Sequence, residues 1–152
     1  MYLIVLLLML FTMAIATGWF SHAGVLIDPP SILIVILIPL ALIVISGLWR
    51  DLKRAFKIIL SKENIYTRSE LKKSEVAIKA FQTYVCLSGI FGTLVGMVTV
   101  LSILDDMDKL LPSISVSMLT LFYSLFIVIL LMPIKYRIQS LIVEVDGEDN
   151  EV

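Results

Sequence analysis

Charge is missing from most of this chain. Four apolar stretches, Tyr2 to Phe20, Ser31 to Trp49, Phe81 to Leu104 and Ile114 to Met132, contain no Asp, Glu, Lys, Arg or His. Ion and proton pathways rely on an ionisable relay inside the membrane, so this absence argues against a self-contained pump or secondary transporter. Cysteine is scarce as well. Cys86 stands alone, which excludes an intramolecular disulfide and a cysteine-cluster metal site. His22 is the only histidine. A multi-histidine metal site is therefore excluded, and a Ser-His-Asp triad would have to be built on a short connection. No catalytic site, cofactor or metal is expected, and a net charge of -1 gives no reason to expect nucleic acid.

Apolar residues are what the chain has in quantity. They make up 59% of it, with a mean hydropathy of +1.01, above the roughly half-apolar composition of soluble domains. Because they fall into four long blocks, each sufficient for a hydrocarbon core about 30 Å thick, the sequence predicts an all-α membrane protein with four transmembrane helices. One domain is expected over residues 1–146, followed by an acidic tail over 147–152. The first block follows no Lys or Arg and exceeds a signal-peptide core in length, so it reads as a retained helix. Asp28-Pro29-Pro30-Ser31 opens the second, with Asp28 or Ser31 as cap. Pro39 and Pro133 are candidate kinks. Asp105 to Ser113 reads as an acidic turn, which makes the third and fourth helices an antiparallel hairpin.

The basic residues orient the chain. Arg50, Lys53, Arg54, Lys57, Lys62, Arg68, Lys72, Lys73, Lys79, Lys135 and Arg137 all fall on one side and only Lys109 on the other. The positive-inside rule then places both termini and the 50–80 connection in the cytoplasm. Within that connection Leu52, Phe56, Ile59 and Leu60 keep helical spacing, and Thr67-Arg68-Ser69-Glu70 reads as a capping box. The second, third and fourth helices are thus expected to extend into the cytoplasm, the fourth through Ile134, Ile138, Leu141 and Val145. Trp19 and Trp49 suit interfacial anchoring. Lys53, Arg54 and Lys57 fit a cytoplasmic partner, topology or anionic headgroups equally well.

Two membrane stripes carry the remaining information. Gly89, Gly92, Gly96 and Thr99 share one face of the third helix, with Thr93 at its edge; Ser113, Ser117, Thr120 and Ser124 share a face of the fourth. Small residues let helix backbones approach, and hydroxyls bond back to the preceding turn. Alternatively, copies of these helices surround a central space where hydroxyls line a hydrated path or meet a partner helix. Spacing alone leaves both readings open.

The segment Gly89-Ile90-Phe91-Gly92-Thr93-Leu94-Val95-Gly96-Met97 resembles the third-helix glycine motif of the MotA/TolQ/ExbB family of proton-channel subunits. Ile114 to Leu125, followed by Met132-Pro133-Ile134, is similar to that family's fourth-helix motif and later proline. Gly24 to Ser31 before an apolar helix is similar to the four-span flagellar stator branch. The resemblance implies an A-type subunit in a bacterial inner membrane, forming a homopentamer around a dimer of single-span B-type subunits that carry an intramembrane acid. By position, Thr93 matches the threonine that faces this acid; Gly89, Gly96, Thr99, Ser117, Thr120 and Ser124 become channel- or partner-facing candidates. Three positions depart from the flagellar pattern: Cys86 stands for a proline, Leu121 for a threonine and Ser124 for a glycine. The connection from Arg50 to Ala80 is also much shorter than the flagellar loop, which implies a minimal motor with another target. A non-conducting scaffold, in which both stripes only pack helices, is the alternative expectation.

Overall fold

A computed structural model describes residues 28–60, 66–102 and 107–148, and the regular elements among them are helices: α1 (Pro29–Ile45), α2 (Trp49–Leu60), α3 (Arg68–Leu101) and α4 (Met107–Glu148). The expected first span, Tyr2 to Phe20, lies outside the described residues.

Helix α1 begins where its start signal predicts. The Asp28 carboxylate accepts from the Ser31 N–H at 3.1 Å, while Pro29 and Pro30 occupy the first two helical positions, where no intrahelical N–H is needed. Its inner face is Ser31, Val35, Pro39 and Ile43, one turn apart and all buried. The helix ends at Ile45, not at Trp49, and the expected extension of the second helix is a separate helix beyond a turn. Ser46 closes the last turn through its N–H to Leu42 O at 2.9 Å, Gly47 takes φ 70°, and α2 leaves at 114° to α1. Glycine adopts that left-handed conformation without the penalty of about 1–2 kcal/mol that a β-carbon brings. The turn is favoured by what it buries: Leu52, Ala55 and Ile58, a single face of α2, pack inward while Lys53 and Lys57 stay exposed.

Helix α3 runs unbroken for 34 residues, opened by the Thr67 N–H donating to the Glu70 carboxylate at 3.3 Å. Helix α4 runs for 42 and departs from expectation at its start. It begins at Met107, so Met107 to Ser113, read as part of an acidic turn, is already helical, and it continues through Pro133 and Gly147 to Glu148.

The two long helices form the antiparallel hairpin. Gly96 lies against Ser117, Gly92 against Thr120 and Gly89 against Ser124. Farther along, Gln82 donates to Val128 O at 3.3 Å, Gln139 to Glu75 at 2.7 Å, and Arg68 to Asp146 at 2.9 Å. The residue numbers of each pair add to nearly the same value, the mark of one continuous register. From Arg68 to Gly96 the contact runs for about 42 Å at 1.5 Å per residue, more than a hydrocarbon core requires. The excess is the basic end of the bundle. There α2 caps a cluster of Ile43, Leu52, Ile58, Leu71, Ile78, Ile134 and Ile138, with Ala and Leu neighbours. Each fully buried Leu or Ile contributes about 1.5–3 kcal/mol where the alternative is water.

Helices α3 and α4 are each long and apolar enough to cross a membrane; α1 and α2 meet that test only as one bent span. The protein is a multi-pass membrane protein.

Candidate functional site

The small-residue stripes of α3 and α4 meet each other inside one chain. A β-carbon added at Gly92 would lie 2.5 Å from Thr120 Cγ2 and 3.1 Å from Ile34 Cγ2, and one at Gly96 would lie 2.5 Å from Ser117 Oγ. At Gly89 it would fall inside the Ser124 side chain. The absence of side chains on α3 is therefore filled by the hydroxymethyl and methyl groups of α4, and backbone approach is the reason for glycine at these places.

Thr93, Ser117, Thr120 and Ser124 are buried along this seam, Thr93 with 7% of its surface exposed. Thr99 is not brought in; it is exposed on the same helix. Each hydroxyl donates its one proton within the chain. Thr93 Oγ1 donates to Gly89 O at 2.9 Å, Thr99 Oγ1 to Val95 O at 2.9 Å, Ser117 Oγ to Ser113 O at 2.9 Å, and Ser124 Oγ to Leu121 O at 2.8 Å. Thr120 differs, since its hydroxyl reaches Ser31 Oγ on α1 at 2.9 Å and ties three helices together. A hydroxyl whose proton is committed to a carbonyl keeps lone pairs for a second partner. Chemically the seam accepts hydrogen bonds: it suits a protonated carboxyl or water, and it carries no group that titrates near neutrality.

Around the seam the charge-free character persists. No Asp, Glu, Lys, Arg or His lies between Phe81 and Leu101 or between Ser113 and Met132. Among the described residues no group of three potential ligands is placed to hold a metal ion. The outer face of α3 exposes Leu87, Ile90, Phe91, Leu94, Val98 and Leu101, a surface for lipid or a neighbouring helix.

Charge returns at the basic end, in pairs that the sequence reading did not find. Glu75 accepts from Lys79 at 2.6 Å and from Gln139 at 2.7 Å, and these two hydrogen bonds, the ammonium's first, hold its carboxyl below the ordinary glutamate range. Arg54 bridges Asp51 at 2.9 Å and Glu70 at 3.4 Å, linking α2 to α3. Ser31 was legible only as a possible cap, and its partnership with Thr120 has no local sequence signal. Tyr84, whose hydroxyl lies 3.0 Å from Ser46 Oγ, likewise pairs across helices.

A sequence model of the MotA/TolQ/ExbB proton channel family matches residues 42–148, from the end of α1 through α2, α3 and α4. The chain belongs to this family. No curated protein matches it significantly. Membership in the MotA/TolQ/ExbB family makes the chain a non-enzymatic subunit associated with a membrane channel. The matched region contains the whole seam of Gly89, Gly92, Gly96, Ser117, Thr120 and Ser124. It excludes Gly24 to Ser31, the segment similar to the flagellar stator branch, and with it the Ser31 hydroxyl that Thr120 engages.

Proposed function

We propose that this chain is the A-type subunit of an ion-driven membrane motor, forming a pentameric ring in a bacterial inner membrane around a dimer of single-span B-type subunits. Within the family we assign it to the flagellar stator-like, four-span branch, with both termini and the basic end in the cytoplasm and a target other than the flagellar rotor. The ion is a proton. The observation that carries the reading is the lack of any charged side chain in the membrane stretches of a chain that belongs to a channel family. A partner must then supply the titrating group. Thr93 and Thr99 suit that division of labour, because their protons are committed to Gly89 O and Val95 O. What they retain is acceptor capacity, matched to the O–H of a partner carboxyl in its protonated, proton-carrying state. Ser117, Thr120, Ser124, Gly89 and Gly96 shape the helix pair on which those threonines sit.

The meeting of both stripes within one chain favours a second reading, a non-conducting scaffold whose small residues serve packing alone. Co-expression with a single-span protein bearing an intramembrane Asp separates the two. Native mass spectrometry should give five copies of this chain with two of the partner, and vesicles holding the complex should take up protons until that Asp is replaced by Asn. A monomer or dimer without partner would overturn the motor reading; uptake no greater than that of protein-free vesicles, with or without the Asn substitution, would favour the scaffold.

A further inference from the structure

The elbow between α1 and α2 faces the first turns of α3, and two recesses open there on either side of Leu48 and Lys73. The larger, about 720 Å³, is lined by Gly47 to Asp51 from the elbow together with Arg54, Glu70 and Lys73. The smaller, about 460 Å³, is lined by Leu48, Arg68, Ser69, Lys72, Lys73 and Val76. Their charges are unequal in sign: Arg50, Arg54, Arg68, Lys72 and Lys73 against Asp51 and Glu70.

The two carboxylates are already served, since Arg54 bridges both, and Arg68 is held by Asp146. Among the described residues, Arg50, Lys72 and Lys73 form no ion pair, and all three are exposed on these walls. Arg50 thus stands uncommitted on the larger recess, Lys72 on the smaller and Lys73 on the wall between them, and the first turns of two helices open there, whose positive ends add to the attraction for an anion.

Depth identifies the anion. Leu48 and Trp49 close the apolar run that contains α1, and Val76 precedes the charge-free stretch of α3 by five residues, about 7.5 Å along the helix, the level of a phospholipid headgroup, which occupies roughly 5–8 Å outside the hydrocarbon core on each side. Lys73 and Lys72 start about 12 and 13.5 Å out, within the length of a lysine side chain from that layer. Trp49 and Val76 are exposed there, 38% and 54%, offering apolar surface beside the cations. We infer that the elbow is a binding site for the phosphate of an anionic phospholipid, held by Arg50, Lys72 and Lys73 with its glycerol and upper acyl chain against Leu48, Trp49 and Val76. The site is built from one chain and does not rest on the ring or on a B-type partner.

The full chain in detergent, titrated with phosphatidylglycerol and in parallel with phosphatidylcholine under native mass spectrometry, tests this. Phosphatidylglycerol should bind more tightly, and each cation removed should cost on the order of five-fold in affinity, so Arg50→Gln, Lys72→Gln and Lys73→Gln combined should approach a hundred-fold. Lys57→Gln, on α2 but away from the recesses, should change nothing. Lys73→Gln alone, on the wall common to both recesses, should lose about five-fold and keeps the test decisive where the triple variant does not fold. Equal binding of both lipids, or a triple variant that folds and binds as well as the parent, would overturn the site. Inorganic phosphate displacing phosphatidylglycerol at equal concentration would reassign it to a soluble anion and overturn the lipid assignment.

Discussion

Gly89 and Ser124 lie so close that no β-carbon fits between α3 and α4 at this level of the hairpin. Glycine here is a matter of distance, because its backbone is ordinary helix and Gly47 is the described glycine with positive φ. Gly89→Ala should push the helices apart or force Ser124 off its bond to Leu121 O, at a cost of about 1–3 kcal/mol. Ser124→Gly in the same chain should recover most of the loss by vacating the space. Thermal unfolding in detergent measures both, and an alanine variant as stable as the parent would mean the helices are not in this register.

The Thr120 to Ser31 hydrogen bond ties α1 to the hairpin near the start of α1, one turn from the bond that the Asp28 N–H donates to the Tyr123 hydroxyl. Interhelical hydrogen bonds in membranes contribute about 0.6 kcal/mol on average and up to roughly 1.7. Thr120→Val keeps the shape and removes the donor, so it should destabilise by about that amount. A double-mutant cycle with Ser31→Ala should give a coupling energy of about 0.6 kcal/mol; zero coupling would show that the hydroxyls do not pair.

These seam contacts show how far spacing carries. Gly89, Gly92, Gly96 and Ser117, Thr120, Ser124 were each legible as a face, because a period of 3.6 places them in line. Periodicity names a face and not its neighbour, so whether the stripes meet within one chain or between copies was undecided until α3 and α4 were seen side by side. The elbow at Gly47 was missed for a related reason. Ile43 to Trp49 is apolar enough to read as more helix, and the outweighed signal was a glycine at the end of the run, the residue suited to a left-handed helix end. Thr67-Arg68-Ser69-Glu70 was readable in full because a capping box is local. Arg68 with Asp146 and Glu75 with Gln139 were not, since each depends on a register set along the whole hairpin.

Glu75 gives the basic end a pH dependence. Its carboxyl is held below the ordinary range by Lys79 and Gln139, so its folded-state pKa is the lower one. The stability it contributes is fully present above the unfolded value, about 4.3, and is lost as pH falls through the folded value. Glu75→Gln should therefore be less stable than the parent at pH 7, with the difference shrinking once pH drops below the unfolded value and disappearing below the lower folded one. Melting curves of the two proteins from pH 7 to pH 3 check the sign; a gap that widened toward acid would contradict it.

Thr93 separates folding from function. Its hydroxyl donates only to Gly89 O of its own helix, so Thr93→Val, which preserves the branched shape, should leave the melting temperature and the copy number of the complex nearly unchanged. What valine cannot do is accept a hydrogen bond. If a protonated partner carboxyl passes this position, the variant loses an interaction made during transfer, and an ordinary neutral hydrogen bond of about 0.5–1.5 kcal/mol corresponds to roughly a 2- to 10-fold fall in flux. Thr93→Ser should restore most of it, and Cys86→Ala, also on α3, serves as the neutral control. The readout is proton uptake by vesicles holding the assembled complex. Full uptake with Thr93→Val in an intact complex would remove Thr93 from the ion path and leave it a residue of the helix seam.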